Sequence, residues 1–249
     1  MQMSTWSKTK RFMAAIAVMP LALAACGEST ENASAVPAEG TARAEGDLPA
    51  IPVMGPEVDI LAFGDSLFAG YGVDKSDSYP AKLEAALRSR GINADIANAG
   101  VSGDTSAAGL QRLKFVLDAQ DEVPELFILE LGGNDLLRGI EPAETKANLA
   151  AMIEEVQSRG IPVLLMGMRA PPNYGPEYQA QFDRLYSELA EQYSVALIPF
   201  WLESIYRDPA LFQSDRIHPT VEGIERLVGA TVERVEAAIP EDARVNEPV

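Results

Sequence analysis

A short, mostly apolar segment is followed by glycine and two polar residues in the stretch Val58-Asp59-Ile60-Leu61-Ala62-Phe63-Gly64-Asp65-Ser66-Leu67. Val58–Phe63 has the length and composition of a buried strand, and Gly64 ends it. Similar apolar runs recur along the chain and alternate with segments whose apolar residues have helical spacing. They predict further strands at 94–97, 126–131, 161–166 and 195–198, and helices at 79–90, 106–119, 141–159, 177–193 and 220–238. This alternation predicts a three-layer α/β/α sandwich around a five-stranded, mostly parallel sheet.

Composition narrows the functional classes. The chain has 249 residues, of which 47% are hydrophobic and 23% charged, as expected for one globular domain. Its net charge of −17 argues against a nucleic-acid partner, because phosphate binding needs basic patches. A single cysteine and a single histidine exclude an internal disulfide and leave the usual zinc ligand sets incomplete. We therefore expect neither a metal nor another cofactor.

The N-terminal segment has the pattern of an export signal. Three basic residues precede the apolar run Phe12–Ala25, which is too short to span a bilayer comfortably. It leads into Leu23-Ala24-Ala25-Cys26-Gly27, which resembles a bacterial lipoprotein signal. That resemblance implies that Cys26 is lipidated and becomes the N-terminus of an exported, membrane-anchored protein, on the periplasmic face or the cell surface. The alternative is an ordinary signal peptide with a coincidental cysteine.

These patterns divide the chain into four parts. Residues 1–25 are the expected signal peptide, and residues 26–56 are the lipidated cysteine with a flexible tether. The tether has almost no large apolar side chains, so it cannot bury enough surface to offset the entropy of ordering. Residues 57–240 form the expected folded domain, and residues 241–249 form a tail.

Five residues of chemical interest fall where parallel strands end or where the last helix begins. Ser66 follows the first predicted strand, Gly103 the second and Asn134 the third, whereas Asp215 and His218 precede the last helix. Ligands of open α/β sheets bind outside the carboxyl ends of the strands. We therefore expect the four loops that carry these residues to meet at one edge of the sheet.

The residue types suit acyl transfer to a serine. His218 can take the proton of the Ser66 hydroxyl and return it to the leaving group. Asp215 can accept the other ring N–H and stabilise the imidazolium. Pro219 disfavours a helical conformation at the preceding residue and favours the first position of a helix, so it is expected to hold His218 in the loop.

A tetrahedral intermediate needs donors for its oxyanion. The backbone N–H groups of Ser66 and Gly103, with the side-chain amide of Asn134, are the candidates for this oxyanion hole. Gly103 has no side chain to obstruct its N–H. Removal of one such donor typically costs ~10²–10³ in rate.

Four segments together resemble the conserved blocks of the SGNH (GDSL) hydrolases. They are Phe63-Gly64-Asp65-Ser66-Leu67, Asn98-Ala99-Gly100-Val101-Ser102-Gly103-Asp104-Thr105-Ser106, Leu131-Gly132-Gly133-Asn134-Asp135 and Asp215-Arg216-Ile217-His218-Pro219. The order and spacing resemble the arylesterase, acyl-thioesterase and lysophospholipase branch, and 168–175 is similar to a substrate-side loop of that branch. The resemblance covers roughly residues 58–235.

The resemblance implies a flavodoxin-like SGNH hydrolase fold and a Ser66–His218–Asp215 triad. It also implies an oxyanion hole of Ser66, Gly103 and Asn134. The expected activity is hydrolysis of short-to-medium acyl or aryl esters, with thioesters and lysophospholipids as further substrates, through an acyl-enzyme intermediate. Arg216 departs from the branch, which usually has glycine there, so the local charge is expected to differ.

Two other functions remain open at this point. One is a carbohydrate O-acetyl esterase, and the other is a non-catalytic binding or structural lipoprotein on the same fold. Each motif alone has an ordinary structural interpretation, since Gly-Asp-Ser, Gly-Gly-Asn-Asp and Asp-x-x-His all occur in turns or at the surface. No Gly-x-Ser-x-Gly elbow is present, which argues against an α/β-hydrolase. The sequence does not indicate an oligomeric state.

Overall fold

The computed structural model describes residues 53–244. The predicted signal peptide, Cys26 and nearly all of the predicted tether lie outside these residues. The strands are β1 (Glu57–Gly64), β2 (Asn93–Gly100), β3 (Leu126–Glu130), β4 (Val163–Met166) and β5 (Ala196–Ile198). The helices are α1 (Ser66–Ala69), α2 (Tyr79–Ser89), α3 (Ser106–Asp118), α4 (Gly133–Leu137), α5 (Pro142–Ser158), α6 (Pro176–Tyr193), α7 (Val221–Ala238) and α8 (Glu241–Arg244). Short 3₁₀ segments lie at Lys75–Asp77, Pro172–Tyr174 and Pro209–Leu211.

The five strands form one parallel sheet with the order β2-β1-β3-β4-β5. Helices α2 and α7 pack together, while α3, α5 and α6 pack side by side. The predicted three-layer α/β/α architecture is therefore confirmed, and every predicted strand and long helix is present with small shifts at its ends.

Three short helices were not predicted. Helices α1 and α4 have only four and five residues, too few to display helical periodicity. Ser66 and Asn134, which we expected in loops, therefore lie in the first turns of short helices. Helix α8 occupies the first residues of the segment predicted as a tail.

The core is built from the two central strands and the helices that cover them. Every residue of β3 is buried, and β1 is buried from Ile60 to Gly64, whereas Glu57 at its start is exposed. Such continuous burial is typical of a parallel strand covered on both faces. Glu130, at the end of β3, is the exception in chemistry, because a carboxyl group with no solvent exposure ends an otherwise apolar strand.

The strand order determines where a ligand can bind. From β1 the chain passes to β2 on one side, and it then returns across the sheet to β3 on the other. The carboxyl ends of β1 and β3 therefore flank the point where the direction of winding reverses, which is the usual binding crevice of such sheets. In residues 53–244, no helix is long and apolar enough to span a membrane.

Candidate active site

Ser66 is held at the first position of α1 by the turn that leaves β1. Asp65 caps this helix, since its Oδ1 accepts the backbone N–H of Leu67 at 3.0 Å. The turn brings the backbone close to neighbouring atoms, because a Cβ on Gly64 would lie 2.8 Å from Oε2 of Glu130 and 2.9 Å from the ring of Phe68. Glycine at position 64 is therefore needed for the tight turn from β1 to Ser66.

His218 reaches Ser66 from the loop before α7. Its Nε2 lies 2.8 Å from the Ser66 Oγ, and its Nδ1 lies 2.7 Å from Oδ2 of Asp215. Asp215 Oδ1 also accepts the backbone N–H groups of Ile217 and His218, at 2.9 and 3.0 Å. The structure thus brings together the three residues of the expected triad, with serine, imidazole and carboxylate hydrogen-bonded in series.

A short antiparallel bridge between Phe212 and Pro219 closes the loop that carries His218. The backbone N–H of Gln213 donates to the carbonyl of His218 at 2.7 Å. Thr220 is the N-cap of α7, so His218 lies in the loop before the helix, as expected from Pro219. The bridge therefore holds His218 in place before the helix begins.

The hydrogen-bonded side chains of His218 and Asp215 lie near the protein surface. The side chain of His218 is 14% exposed and that of Asp215 is 35% exposed. Burial alone would raise the pKa of Asp215, but the hydrogen bonds from His218 and the neighbouring backbone lower that pKa to about 2. The ring of Tyr71 packs against the imidazole with 4.3 Å between ring centroids. Asp215 is therefore ionised at neutral pH and keeps the imidazole oriented.

The three expected oxyanion donors surround the same serine. Gly103 has φ +88°, a left-handed conformation that favours glycine, and the Arg138 guanidinium donates to its carbonyl at 2.7 Å. Among residues 53–244, no protein acceptor is recorded for the backbone N–H of Ser66 or of Gly103. Ser66, Gly103 and Asn134 all line one cavity.

Asn134 is held by Asp65, since its Nδ2 donates to Asp65 Oδ2 at 2.9 Å. The next residue, Asp135, is fully buried and anchors α4 to two other helices. It accepts from the backbone N–H of Ser106 at 2.7 Å and from the hydroxyl of Thr145 at 3.1 Å. The position of the Asn134 amide is thereby fixed from both sides.

Sequence reasoning missed the carboxyl pair beneath the serine. Glu130 Oε2 accepts the backbone N–H of Asp65 at 3.3 Å, and both side chains are buried. Burial raises the pKa of Asp65 to about 6, against hydrogen bonds that lower it. Burial, reinforced by the charge of Asp65, also raises the pKa of Glu130 well above its ordinary value. One acidic residue inside a predicted buried strand was the signal that could have identified Glu130.

A mostly apolar cavity of about 610 Å³ opens above Ser66. This volume is typical of pockets that hold a small organic ligand. The substrate-side loop predicted at 168–175 contributes Met168, Arg169 and Pro171. The other aliphatic and aromatic lining residues are Leu67, Tyr71, Leu136, Leu137, Phe200, Leu202, Tyr206, Pro209, Phe212 and Ile217. Ser66 therefore faces a space suited to an acyl chain or aromatic ring.

A group of three acidic side chains is close enough together to bind a cation, and it lies away from Ser66. Within the described part of the chain they are Glu57, Asp59 and Asp95, near the starts of β1 and β2. Ser66 follows the opposite end of β1. These carboxylates are therefore not part of the cavity that contains the serine.

Comparison with known proteins identifies the family. A family model described as "GDSL-like Lipase/Acylhydrolase family" matches residues 62–226, well over half of the chain. The protein belongs to the GDSL-like lipase/acylhydrolase family. The resemblance to SGNH (GDSL) hydrolases that the sequence motifs indicated is thereby confirmed.

Relatives of this GDSL hydrolase include proteins named as esterases. The "Esterase TesA" of Pseudomonas aeruginosa is 43% identical over 169 residues, which cover 68% of this chain and 83% of the relative. The "Thioesterase 1/protease 1/lysophospholipase L1" of Escherichia coli is 40% identical over 160 residues, which cover 64% of this chain and 74% of the relative. Among solved structures, the SGNH-hydrolase family esterase AlinE4 is 64% identical with a TM-score of 0.64, covering 75% of this chain and 99% of that one.

Proposed function

We propose that this GDSL hydrolase is a serine esterase that acts through an acyl-enzyme intermediate. The observation that carries the proposal is the 2.8 Å contact between Ser66 Oγ and His218 Nε2 at the base of an apolar cavity. A nucleophile, its base and the carboxylate that orients the base are the three groups that such chemistry requires. Relatives named as esterase, arylesterase and thioesterase/lysophospholipase support the same reaction class.

In the first half of the reaction, Ser66 Oγ attacks the carbonyl carbon of the ester while His218 takes the hydroxyl proton. The tetrahedral intermediate then breaks its bond to the leaving oxygen, which receives that proton from His218. In the second half, His218 takes a proton from water as the water oxygen attacks the acyl carbon. The bond from that carbon to Ser66 Oγ then breaks, and Oγ receives the proton from His218. The acid product departs and the Ser66 hydroxyl is restored.

The negative charge on the carbonyl oxygen is stabilised by the Ser66 and Gly103 backbone N–H groups and by the Asn134 amide. Asn134 uses one of its two N–H bonds on Asp65 and has the second for the substrate. Fixed donors of this kind stabilise the transition state without reorganisation.

The cavity favours substrates with an apolar acyl or aryl group. Its lining is predominantly aliphatic and aromatic, with Arg169 and Arg216 also among the lining residues. We propose short-to-medium acyl and aryl esters as the main substrates, with lysophospholipids and thioesters as further ones. A p-nitrophenyl ester series of increasing chain length, with a lysophospholipid, an acyl thioester and an acetylated sugar, tests this preference. Strongest turnover of the acetylated sugar would contradict it and favour a carbohydrate O-acetyl esterase.

Substitution of the nucleophile tests the function. Ser66→Ala should reduce the turnover of p-nitrophenyl butyrate by ~10³-fold or more, because no other group can form the acyl-enzyme. Ser187→Ala is the matched control, since Ser187 is exposed on α6 and should leave activity unchanged. Full activity of Ser66→Ala would refute the mechanism, and an inactive wild type would favour a binding or structural role.

We also propose that the protein is an exported lipoprotein anchored through Cys26. The support is the sequence pattern alone, in which an apolar run preceded by basic residues ends in Leu23-Ala24-Ala25-Cys26-Gly27. Cells that express the full chain should incorporate an alkyne fatty acid into it, and Cys26→Ala should abolish both the label and membrane fractionation. Because Cys26 is the only cysteine, labelling that persists in this variant would contradict a thioether-linked lipid on Cys26.

A further inference from the structure

The carboxyl pair Asp65–Glu130 lies directly beneath the nucleophile and is not a member of the proposed triad. The backbone N–H of Asp65 donates to Glu130 Oε2 at 3.3 Å, which places the Glu130 carboxyl group next to Asp65. Asp65 is 2% exposed and Glu130 is fully buried. Two neighbouring carboxyl groups that are both shielded from water cannot both be ionised without a large cost in free energy.

Basic side chains do not neutralise the pair. In residues 53–244, no recorded ion pair includes Asp65 or Glu130. Arg112 of α3 comes near, since it donates to the carbonyl of Gly64 at 3.0 Å, but its ion pair is with Asp104. At least one carboxyl group of the pair must therefore hold a proton.

The other titratable groups around the pair do not supply that proton. Tyr186 of α6 donates its hydroxyl hydrogen to the carbonyl of Leu131 at 3.0 Å, so it is already used. Asp135 of α4 lies within electrostatic range of Tyr186 and adds negative charge. His218 hydrogen-bonds to Ser66 and Asp215 instead. The proton is therefore held by one of the two carboxyl groups of the pair.

The hydrogen bonds indicate which carboxyl group is the acceptor. Asp65 accepts from Leu67 N–H and from Asn134 Nδ2, at 3.0 and 2.9 Å, so both of its oxygens face donors. Oε1 of Glu130 has no partner among the described residues. Asp65 is thus the better place for the negative charge, and Glu130 is the better place for the proton.

We propose that Glu130 is a positioning residue whose protonated carboxyl group donates to Asp65 and thereby fixes the Asn134 amide with its nitrogen toward the substrate. This inference rests on the proposed esterase function. A side-chain amide has a donor end and an acceptor end of nearly the same shape. An ionised Asp65 accepts only from the NH₂ end, so the second N–H of Asn134 is left for the oxyanion. Rotation of the amide would present its oxygen to the developing negative charge.

Two substitutions of similar size separate this role from a structural one. Glu130→Gln keeps a donor for Asp65 and an acceptor for its backbone N–H, whereas Glu130→Met fills the space with neither. We expect Glu130→Gln to keep kcat within about threefold of wild type and Glu130→Met to lower kcat by ~10-fold or more. KM should stay within about twofold in both, because the oxyanion contact strengthens only in the transition state.

A double substitution tests whether Glu130 acts through Asn134. In an Asn134→Ala background, Glu130→Met should lower kcat by less than about threefold, since the donor that Glu130 orients is already gone. Leu126→Ala, a buried position at the other end of β3, is the control for packing loss and should lower stability without changing kcat.

The failures of the two proposals are distinguishable. If Ser66→Ala remains active, the esterase mechanism is wrong. If Ser66→Ala is inactive while folded Glu130→Met matches wild-type kcat, only the positioning role is wrong. Equal losses for Glu130→Met in the wild-type and Asn134→Ala backgrounds would also overturn it, because the two residues would then act independently.

Discussion

At the scale of single residues, the site depends on side chains whose roles follow from their contacts. The proximity of Ser66 and His218 was predictable because four motifs occur in order, each after a strand or before the last helix. Glu130 was not predicted, because its partner Asp65 lies 65 residues away in sequence. A contact of that kind appears only when β1 and β3 lie side by side.

Arg216 has a backbone conformation that favours glycine. It has φ +59°, a conformation that costs a non-glycine residue roughly 1–2 kcal/mol. Arg216→Gly should remove this cost, although glycine adds roughly 0.5–1 kcal/mol of unfolded-state entropy. We expect the free energy of unfolding to rise by up to ~1 kcal/mol, measured by urea denaturation. A clear loss of stability would mean that the Arg216 side chain makes stabilising contacts that outweigh its backbone strain.

At the scale of elements, the start of α7 is expected to affect both folding stability and activity, because the loop that carries Asp215 and His218 ends there. Thr220 Oγ1 accepts the backbone N–H of Gly223 at 3.2 Å and begins this helix two residues after His218. Thr220→Ala should lower the free energy of unfolding by ~1 kcal/mol and reduce kcat/KM, because the loop loses its fixed end. The control is Ser78→Ala, which removes the cap of α2. It should cost similar stability with unchanged kcat/KM, and equal kinetic effects of the two variants would contradict the link.

The predictability of the elements follows from their length. The long helices and the five strands were predicted, since each spans enough residues to display a periodic or continuous apolar pattern. Helices α1 and α4 were missed because one turn carries no such pattern, and their positions depend on Asp65 and Asp135, which bond to distant partners. The cavity was not predictable either, since its walls come from loops whose shape depends on packing, such as those with Met168 and Phe200.

At the scale of the whole molecule, the buried carboxyl pair couples stability to pH. Burial raises the pKa of Asp65 to about 6 and that of Glu130 well above its ordinary value. A raised acidic pKa contributes stability that is fully present below the unfolded value, near 4, and is lost as pH rises through the folded value. Asp215 has the opposite sign, but its pKa is lowered to about 2, so its contribution is complete above pH ~4.

The protein should therefore be more stable near pH 5 than near pH 8, an effect that its net charge of −17 reinforces. Urea denaturation at a series of pH values measures this trend. Glu130→Gln should flatten it, because one titrating member of the pair is removed. An equal slope in wild type and Glu130→Gln would show that the pair does not govern the trend.

The central claim is that Ser66 is the nucleophile and His218 its base. Labelling by an organophosphate ester, followed by mass spectrometry of the intact protein and its peptides, tests that claim most directly. We predict one phosphoryl group per chain on Ser66, no label on Ser66→Ala, and labelling slowed by ~10³-fold or more in His218→Ala. Stoichiometric label on another residue, or labelling of Ser66 at the same rate in His218→Ala, would contradict the account.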